Sequence, residues 1–324
     1  MLSLFRKESP IGSVPSALIV AFRRPANLSR LIESCLSNEV ERIYIHLDGP
    51  RSASSEQETR ACLLIAQTFQ KQYPRSIRIR HSRQNLGTAV AVLSACNWIF
   101  EEEDYALILE DDCIPSDCFF KFVQQTESLV TTSPQVFAAS GTQLAPSHLF
   151  QGEVCLSAYL MIWGWATSRD KWRQMFDELT TIDLKSMNRG SLSLAEFAYW
   201  RAGARRALQG LVDAWDIPLM LNFRLNNRVV VAPKHNLVTN IGADLVAINT
   251  DSRSKFTNVP LGRYQGFSIP PAYNPALDEW IRNQVFGISR RHLFSTKLTF
   301  LQDCKLGFSS KRGPLLSRLQ SIHS

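Results

Sequence analysis

The first half of the chain alternates short apolar runs with longer segments in which apolar residues recur every three or four positions. The apolar runs have the length of strands, and the longer segments have the period of amphipathic helices. The predicted strands are 16–22, 42–49, 76–82, 105–109 and 135–141, and the predicted helices are 27–37, 54–73, 87–100 and 117–131. This alternation predicts an α/β fold, with a mainly parallel sheet covered by helices on both faces.

The pattern loosens after Gly141. A helix is predicted over 192–208 and a strand over 228–233, and neither a repeat nor a low-complexity linker separates them from the first half. We therefore expect one domain over 1–286, made of a first half (about 14–141) and a partly helical second half (about 142–286). A C-terminal extension (287–324) follows.

Composition limits the class of protein. The chain is 45% hydrophobic and 20% charged, as in ordinary globular proteins. No apolar run reaches the roughly 20 residues of a membrane-spanning helix, and the N-terminus lacks a secretory layout. The seven cysteines have no paired spacing. These features lead us to expect a reduced, cytoplasmic compartment.

The net charge of +7 is concentrated in the C-terminal extension. That extension holds seven Lys or Arg residues and one acid, so it carries +6 and the rest of the chain carries +1. Such a segment either makes peripheral contact with an anionic membrane surface or forms a solvated appendage. The only partly helical spacing of its apolar residues favours the solvated form. Nucleic-acid binding is not expected, since the body of the chain has almost no net charge.

Three adjacent acids, Glu110, Asp111 and Asp112, end the apolar strand 105–109. They form either a solvated turn or a metal site, because clustered carboxylates are costly unless a cation, a proton or solvent compensates them. The chain has no phosphate loop, no dinucleotide fingerprint, no nucleophile elbow and no zinc-protease motif. Mn²⁺ or Mg²⁺ often binds through one or two carboxylates together with substrate phosphates. The acids therefore fit a metal site that binds the diphosphate of a nucleotide sugar.

Four stretches, taken in order, carry a family resemblance: ALIVAFRRPANLSRLI, HSRQNLGTAVAVLSACNWIF, LILEDDCIPSDCFFKFV, and WGWATSRDKW with the later segment 213–242. On these motifs the chain resembles the glycosyltransferases of the GT-A fold, in particular the inverting group that includes N-acetylglucosaminyltransferase I and bacterial sugar transferases. The resemblance implies a GT-A type fold and Mn²⁺ or Mg²⁺ as cofactor. It also implies a nucleotide-sugar donor, most simply a UDP-sugar, and a glycan or lipid-linked acceptor. Transfer with inversion is expected.

The resemblance also implies roles in donor binding. Asp112 would contact the metal. The residues expected to contact the donor are Ala21, Phe22, Arg24, Asp48, Asn85, Gly87, Glu110 and Asp111. Three of these have simpler explanations, since Arg24 could be solvated, Asp48 could be a turn residue, and Asn85 could cap the following helix.

Acceptor binding and catalysis are expected from the second half. Gly164 would let the backbone approach a ligand, and Trp165 would either stack on a sugar ring or pack in the core. Asp216, in a Trp-Asp step, would take the proton from the acceptor hydroxyl. Asp213 is the reserve candidate, and a solvated acid at a helix start is the alternative for Asp216.

The chain departs from the family pattern in two places. Segment 241–252 has acids but no His, which leaves a third metal ligand there without support, and Pro218 follows the proposed base closely. Two other functions stay open. A sugar-phosphate nucleotidyltransferase would need a Gly-rich basic loop after the first strand, and AFRRPANLS has no Gly. A non-catalytic glycan-binding relative would not need the intact acid motifs.

Overall fold

In the computed structural model of the chain, the described residues are 13–242, 256–288, 315, 317 and 318. Their strands are β1 (Ser16–Ala21), β2 (Ile43–Leu47), β3 (Ile77–His81), β4 (Tyr105–Glu110), β5 (Cys113–Pro115), β6 (Val136–Ser140), β7 (Val154–Ser157), β8 (Trp165–Ser168), β9 (Val229–Pro233) and β10 (Val238–Asn240). Their helices are α1 (Pro25–Ser37), α2 (Ala53–Gln72), α3 (Thr88–Glu102), α4 (Asp117–Thr132), α5 (Arg169–Thr180), α6 (Leu194–Leu208), α7 (Asp216–Leu225) and α8 (Pro275–Trp280).

One eight-stranded sheet has the order β3-β2-β1-β4-β8-β6-β9-β7. The neighbours β3, β2, β1 and β4 run parallel, as do β6 and β9. Strand β8 lies antiparallel between β4 and β6, and β7 is antiparallel to β9. The α/β class with a mainly parallel sheet and flanking helices is thus confirmed.

The central strands are buried on both faces, and successive side chains enter different layers. Leu18, Tyr44 and Ile108 pack on the face covered by α3, while Ile19 and Ile45 pack on the opposite face. This explains why these strands are apolar runs without polar alternation, as expected for a sheet covered on both sides. The exposed β3, at the sheet edge, shows the alternating pattern instead.

The parallel register aligns the carboxyl ends of three strands. Val20 pairs with His46 of β2 on one side and with Glu110 of β4 on the other. The polar residues that follow these strands therefore emerge at one edge of the sheet, where parallel α/β folds bind ligands.

The second half of the chain differs most from prediction. The predicted helix and strand are present as α6 and β9, but β7, β8, β10, α5, α7 and α8 were not predicted. Among the described helices, none is long and apolar enough to cross a membrane. The C-terminal extension, with its expected membrane or solvent contact, lies outside the described residues except for Gly287, Ile288, Leu315, Ser317 and Arg318.

Candidate active site

A cleft of about 770 Å³ opens at the carboxyl ends of β1, β2 and β4. The start of α3 and the segment before α7 complete its wall. Among the described residues, its charged lining comprises Arg24, Asp48, Arg51, Glu110, Asp111, Asp112, Asp213, Asp216 and Arg318. Six carboxylates therefore face three guanidinium groups, and an added diphosphate would be repelled unless a cation accompanied it.

Asp111 joins the ends of β1 and β4. Its Oδ2 accepts the backbone N–H of Phe22 at 2.9 Å, and its Oδ1 accepts from Arg24 at 2.6 Å. The side chain is only 7% exposed. Both oxygens therefore have partners within the protein, and the contact of Asp111 with the donor stays a prediction. Arg24 lines the cleft but is held by this carboxylate, so it is not simply solvated.

Asp48 holds the segment before α3 against the end of β2. Its Oδ1 accepts from the N–H groups of Gly49 and Leu86, both at 2.8 Å, and its Oδ2 accepts from the Asn85 amide at 2.8 Å. Both oxygens of Asp48 thus have partners within the protein, and its contact with a base or ribose stays a prediction. Burial raises the pKa of Asp48, while the backbone N–H groups that donate hydrogen bonds to its carboxylate lower the pKa.

Helix α3 is capped by a carboxylate from a distant segment. Asp213 accepts from the N–H groups of Thr88 at 2.8 Å and Ala89 at 2.9 Å. Gly87 precedes the helix with φ of 73°, and a Cβ there would lie 2.8 Å from Asp213 Oδ2. Asn85, one of the predicted caps, instead donates to Asp48 and to the carbonyl of Gly49. Capping of α3 is therefore assigned to Asp213.

Asp112 lies at the bottom of the cleft beside the β5–β10 pair. Its Oδ2 is 3.5 Å from Arg24, and its Oδ1 accepts a long hydrogen bond of 3.3 Å from the Asn240 amide. Gly242 passes so close that a Cβ there would lie 2.3 Å from Asp112 Oδ2. Burial, with the charge of Asp111 adding, raises the pKa of Asp112 to about 6.

Glu110 and Asp216 face the same cleft, and their negative charges have fewer compensating partners. Burial raises the pKa of Glu110 well above its ordinary range, and the charges of Asp112, Asp111 and Asp216 add to this. Within the described parts of the chain, the Glu110 carboxylate has no ion pair or hydrogen bond. Asp216 begins α7, where burial raises its pKa and nearby backbone N–H groups lower it. Pro218 lies in the first turn of α7, a position that helices tolerate.

The oxygen ligands that the cleft offers fit Mg²⁺ or Mn²⁺, because both ions prefer oxygen and the carboxylates carry excess negative charge. The described residues contain no group of three or more acid, His or Cys side chains arranged to hold a metal. A metal here would therefore be held by Asp112 and completed by water and ligand oxygens. The segment 243–252, which was considered as the source of a third ligand, lies outside the described residues.

The structure places both residues expected to bind the acceptor in packed surroundings, and for Trp165 it shows the packing alternative. Trp165 is 1% exposed and stacks on Trp215 at 5.9 Å between ring centroids, so it packs in the core. Gly164 has φ of 73°, and a Cβ there would lie 2.6 Å from a methyl of Val238. The glycine thus permits close packing within the protein, not approach to a ligand. The half-buried Trp163 and Ile162 line the cleft instead.

Three further residues on the cleft wall were not singled out as site residues: Arg51, Leu315 and Arg318. Arg51 follows β2 and belongs to no sequence motif. Leu315 and Arg318 belong to the C-terminal extension, whose basic composition was noticed but gave no indication of where it packs.

No family model matches the chain, and the search of curated proteins found no match. Solved structures that align with it include a glucose-1-phosphate thymidylyltransferase from Bacillus anthracis, at 12% identity over 58% of this chain and 83% of the other, with a TM-score of 0.32. A UDP-glucose pyrophosphorylase in complex with UDP-glucose aligns at 9% identity over 68% and 90%, with a TM-score of 0.36. A 4-diphosphocytidyl-2C-methyl-D-erythritol synthase from Anaerococcus prevotii aligns at 11% identity over 65% and 96%, with a TM-score of 0.33.

The first two of these proteins are nucleotidyltransferases, so by class they match the alternative from the sequence and not its main hypothesis. At this level of similarity the alignment does not decide between the two functions. The choice rests on the chemistry of the cleft.

Proposed function

We propose that the protein is a metal-dependent glycosyltransferase that moves a sugar from a nucleoside-diphosphate sugar to an acceptor hydroxyl. The observation that carries the proposal is the excess of carboxylates in one cleft at the strand ends, with Asp112 at the end of β4 and Asp216 at the start of α7. Such a cleft can accept a diphosphate only together with a divalent cation.

Asp112 is the residue proposed to hold Mn²⁺ or Mg²⁺. The cation would supply charge neutralisation as the diphosphate leaves. Asp111 contributes by fixing Arg24 at 3.5 Å from Asp112, so the guanidinium limits the repulsion between neighbouring acids before the cation binds. Glu110, which no described side chain neutralises, is available to accept from sugar hydroxyls or from water bound to the metal.

Asp216 is the proposed base. Its carboxylate would accept the proton of the acceptor hydroxyl while the hydroxyl oxygen bonds to the anomeric carbon. The bond from that carbon to the diphosphate breaks, and its electron pair leaves with the diphosphate. The raised pKa of Asp216 makes it a better proton acceptor than an ordinary aspartate. Attack opposite the leaving group would give inversion. The acceptor class, a glycan or a lipid-linked sugar, follows only from the family resemblance.

The segment after β1 argues against nucleotidyl transfer. Only three residues, Phe22 to Arg24, separate β1 from α1. The N–H of Phe22 donates to Asp111, and Arg24 is paired with the same carboxylate. A triphosphate-binding loop provides several backbone N–H groups, whereas this segment is short, has no glycine and already uses the N–H of Phe22.

A thermal-shift screen tests donor binding. The full chain is heated with UDP-, GDP-, CMP- and dTDP-sugars, each with and without Mn²⁺. We expect a metal-dependent rise in Tm with at least one nucleoside-diphosphate sugar, and loss of that rise in Asp112→Asn. Asp117→Asn, at the exposed start of α4, is the matched control and should keep the rise. No shift with any donor, or an equal shift in Asp112→Asn, would count against the proposal.

A second assay separates the two enzyme classes. A glycosyltransferase releases a nucleoside diphosphate from the sugar nucleotide, slowly even when water is the acceptor. A nucleotidyltransferase releases pyrophosphate from a nucleoside triphosphate and a sugar 1-phosphate. Metal-dependent release of nucleoside diphosphate without pyrophosphate formation is expected, and the reverse result would assign the protein to the alternative class.

A further inference from the structure

The turn between α6 and α7 places two apolar side chains at the mouth of the cleft. Leu211 is 62% exposed, and Val212 is 37% exposed. Val212 lines the cleft together with Asp216, the proposed base, which begins the next helix. The two apolar side chains therefore lie where an acceptor would enter to reach Asp216.

The exposure of Leu211 follows from the way in which α6 ends. Gly210 has φ of 72°, and the N–H of Leu211 donates to the carbonyl of Arg206 at 2.9 Å, as in a common helix-capping motif. An apolar residue at this position of the motif usually packs back on the last turn of the helix. Here that turn carries Arg205 and Arg206, so it offers Leu211 little apolar surface.

The other end of the turn is held as well. Asp213 accepts from the N–H groups of Thr88 at 2.8 Å and Ala89 at 2.9 Å. A movement that buried Leu211 would have to break the hydrogen bonds at one of the two ends. The turn therefore keeps apolar surface in water, which costs free energy unless a partner covers it, and such surfaces often mark binding sites.

The wall near the proposed base continues this apolar surface. It is lined by Ile162, Trp163, Val212 and Ile217. The segment before β8 reaches this wall because Trp165 stacks on Trp215, the neighbour of Asp216. The acceptor side of the cleft thus has an apolar lining, in contrast to the charged strand ends on the donor side.

We propose that the acceptor carries an apolar chain, an alkyl or polyprenyl group, which packs on Leu211 and Val212 while the acceptor hydroxyl reaches Asp216. This inference rests on the proposed function, because it takes Asp216 as the base. The family resemblance leaves a glycan and a lipid-linked sugar open as acceptors. A free glycan would present mainly hydroxyl groups to these two side chains, whereas a lipid chain covers them with apolar surface. The lipid-linked class is therefore favoured.

The charge beside the two side chains agrees with this choice. Arg206 is exposed at the end of α6, and its carbonyl accepts from Leu211. A second copy of the chain that docked here about a two-fold axis would bring Arg206 of both copies close together, and their charges would repel. The anionic head group of a lipid would be attracted by the same charge.

The test compares acceptors that differ only in the apolar chain. The probes are the methyl and octyl β-glycosides of glucose, galactose and N-acetylglucosamine, each below the concentration at which it forms micelles. Their affinities for the full chain are measured by titration calorimetry with Mn²⁺ and the nucleoside diphosphate that the screen selects. We expect each octyl glycoside to bind about 10-fold more tightly than its methyl counterpart, because part of the longer chain leaves water.

A double variant, Leu211→Ser with Val212→Ser, removes the apolar surface and keeps all charges. It should reduce the preference for the octyl glycoside to about 2-fold. The matched control is Leu194→Ser, because Leu194 is also 62% exposed and lies at the opposite end of α6. This control should keep the preference of about 10-fold.

Three results would overturn the inference. The first is equal affinity of the wild type for methyl and octyl glycosides. The second is an equal loss of preference in Leu194→Ser, which would indicate unspecific adsorption of the alkyl chain. The third is a wild-type dimer in sedimentation experiments that the double variant converts to a monomer, since this would assign the surface to a second copy. Wild-type protein that binds no nucleoside diphosphate with Mn²⁺ would instead overturn the proposed function itself.

Discussion

Two groups of buried acids can be compared within this molecule. In the second half, Glu196 accepts from Arg224 at 2.8 Å and from the Tyr159 hydroxyl at 2.9 Å. Asp278, nearby, accepts from Ser157 and Tyr273, both at 2.7 Å. In the cleft, by contrast, Glu110 has no such partner among the described residues. The protein thus pairs its carboxylates fully in one region and leaves them in excess in another.

The difference indicates what each region is for. A buried carboxylate with full partners fixes the position of chain segments, and its removal leaves those partners unsatisfied. A partly buried carboxylate without partners lowers stability, and such groups concentrate at functional sites. The paired acids of the second half therefore belong to the architecture, whereas the excess of acids over guanidinium groups in the cleft suits a cation.

The largest expected effect is on catalysis. Asp216→Asn removes the proposed base and should lower sugar transfer by about 100- to 10,000-fold, with donor affinity unchanged. Transfer is measured as release of nucleoside diphosphate with the acceptor present, and binding by thermal shift. Asp213→Asn is the companion variant, because its amide oxygen can still accept from the start of α3. Near-normal transfer in Asp216→Asn with loss in Asp213→Asn would move the base to Asp213.

In the second half, where the buried acids are paired, the expected effect of a substitution is a loss of stability. Glu196→Gln leaves the buried Arg224 without its charge partner and should lower the free energy of unfolding by about 3 kcal/mol. For a domain of this size that corresponds to a fall in Tm of about 5 °C. Urea unfolding followed by circular dichroism measures it. A variant as stable as the wild type would show that this ion pair is not needed for the fold.

In the cleft, the expected effect of removing an acid is a gain in stability. Glu110→Gln removes a charge that three neighbouring acids repel, so the free energy of unfolding at pH 8 without metal should rise by about 1 kcal/mol. The same change should weaken the metal-dependent stabilisation by donor. A clear loss of stability in Glu110→Gln would contradict the distinction between the two regions.

His46 offers the smallest and most specific test. It lies in β2, fully buried, and neither ring nitrogen has a hydrogen-bond partner among the described residues. Burial, with the charges of Arg80 and His81 adding, lowers its pKa from 6.5 to about 4. The unfolded chain therefore binds the proton more readily, and stability that is present above pH 6.5 is lost as the pH falls towards 4.

Replacing this ring with a side chain that cannot titrate should remove that loss. The stability of His46→Leu relative to the wild type should be about 1 kcal/mol higher at pH 6 than at pH 7.5. His148→Gln, at an exposed position, is the control. Parallel pH profiles for His46→Leu and the wild type would refute this assignment.

The sheet of the first half was predictable because each of its central strands is determined by its own local sequence. Each of the strands β1, β2 and β4 is an apolar run of five or six residues between helical segments, and a fully covered parallel strand requires such a run. Strand β8 was missed because it has four residues, and its place between β4 and β6 depends on pairing with both. Local sequence contains no signal for that insertion.

The site was predictable in membership more than in detail. Residues at the strand ends come together because parallel register brings those ends to one edge, which is how Arg24, Asp112 and Asp48 were found. Which atoms satisfy one another depends on three-dimensional contacts, so the pairing of Asp48 with Asn85 was not foreseen. Ring stacking and core packing both stayed open for Trp165 because a linear pattern does not reveal which side chains of β8 pack in the core. Arg318 reaches the site from too far along the chain for any motif to place it.

The carboxylate of Asp213 has one further consequence. Because it holds the first two N–H groups of α3 from a segment 124 residues away, it ties the helix that flanks the donor side to the turn that carries Asp216. A swing of one half of the molecule against the other would have to break both bonds at once. The distance between the start of α3 and the turn that carries Asp216 is thereby held by two hydrogen bonds, which would keep the two sides of the proposed site at a constant separation.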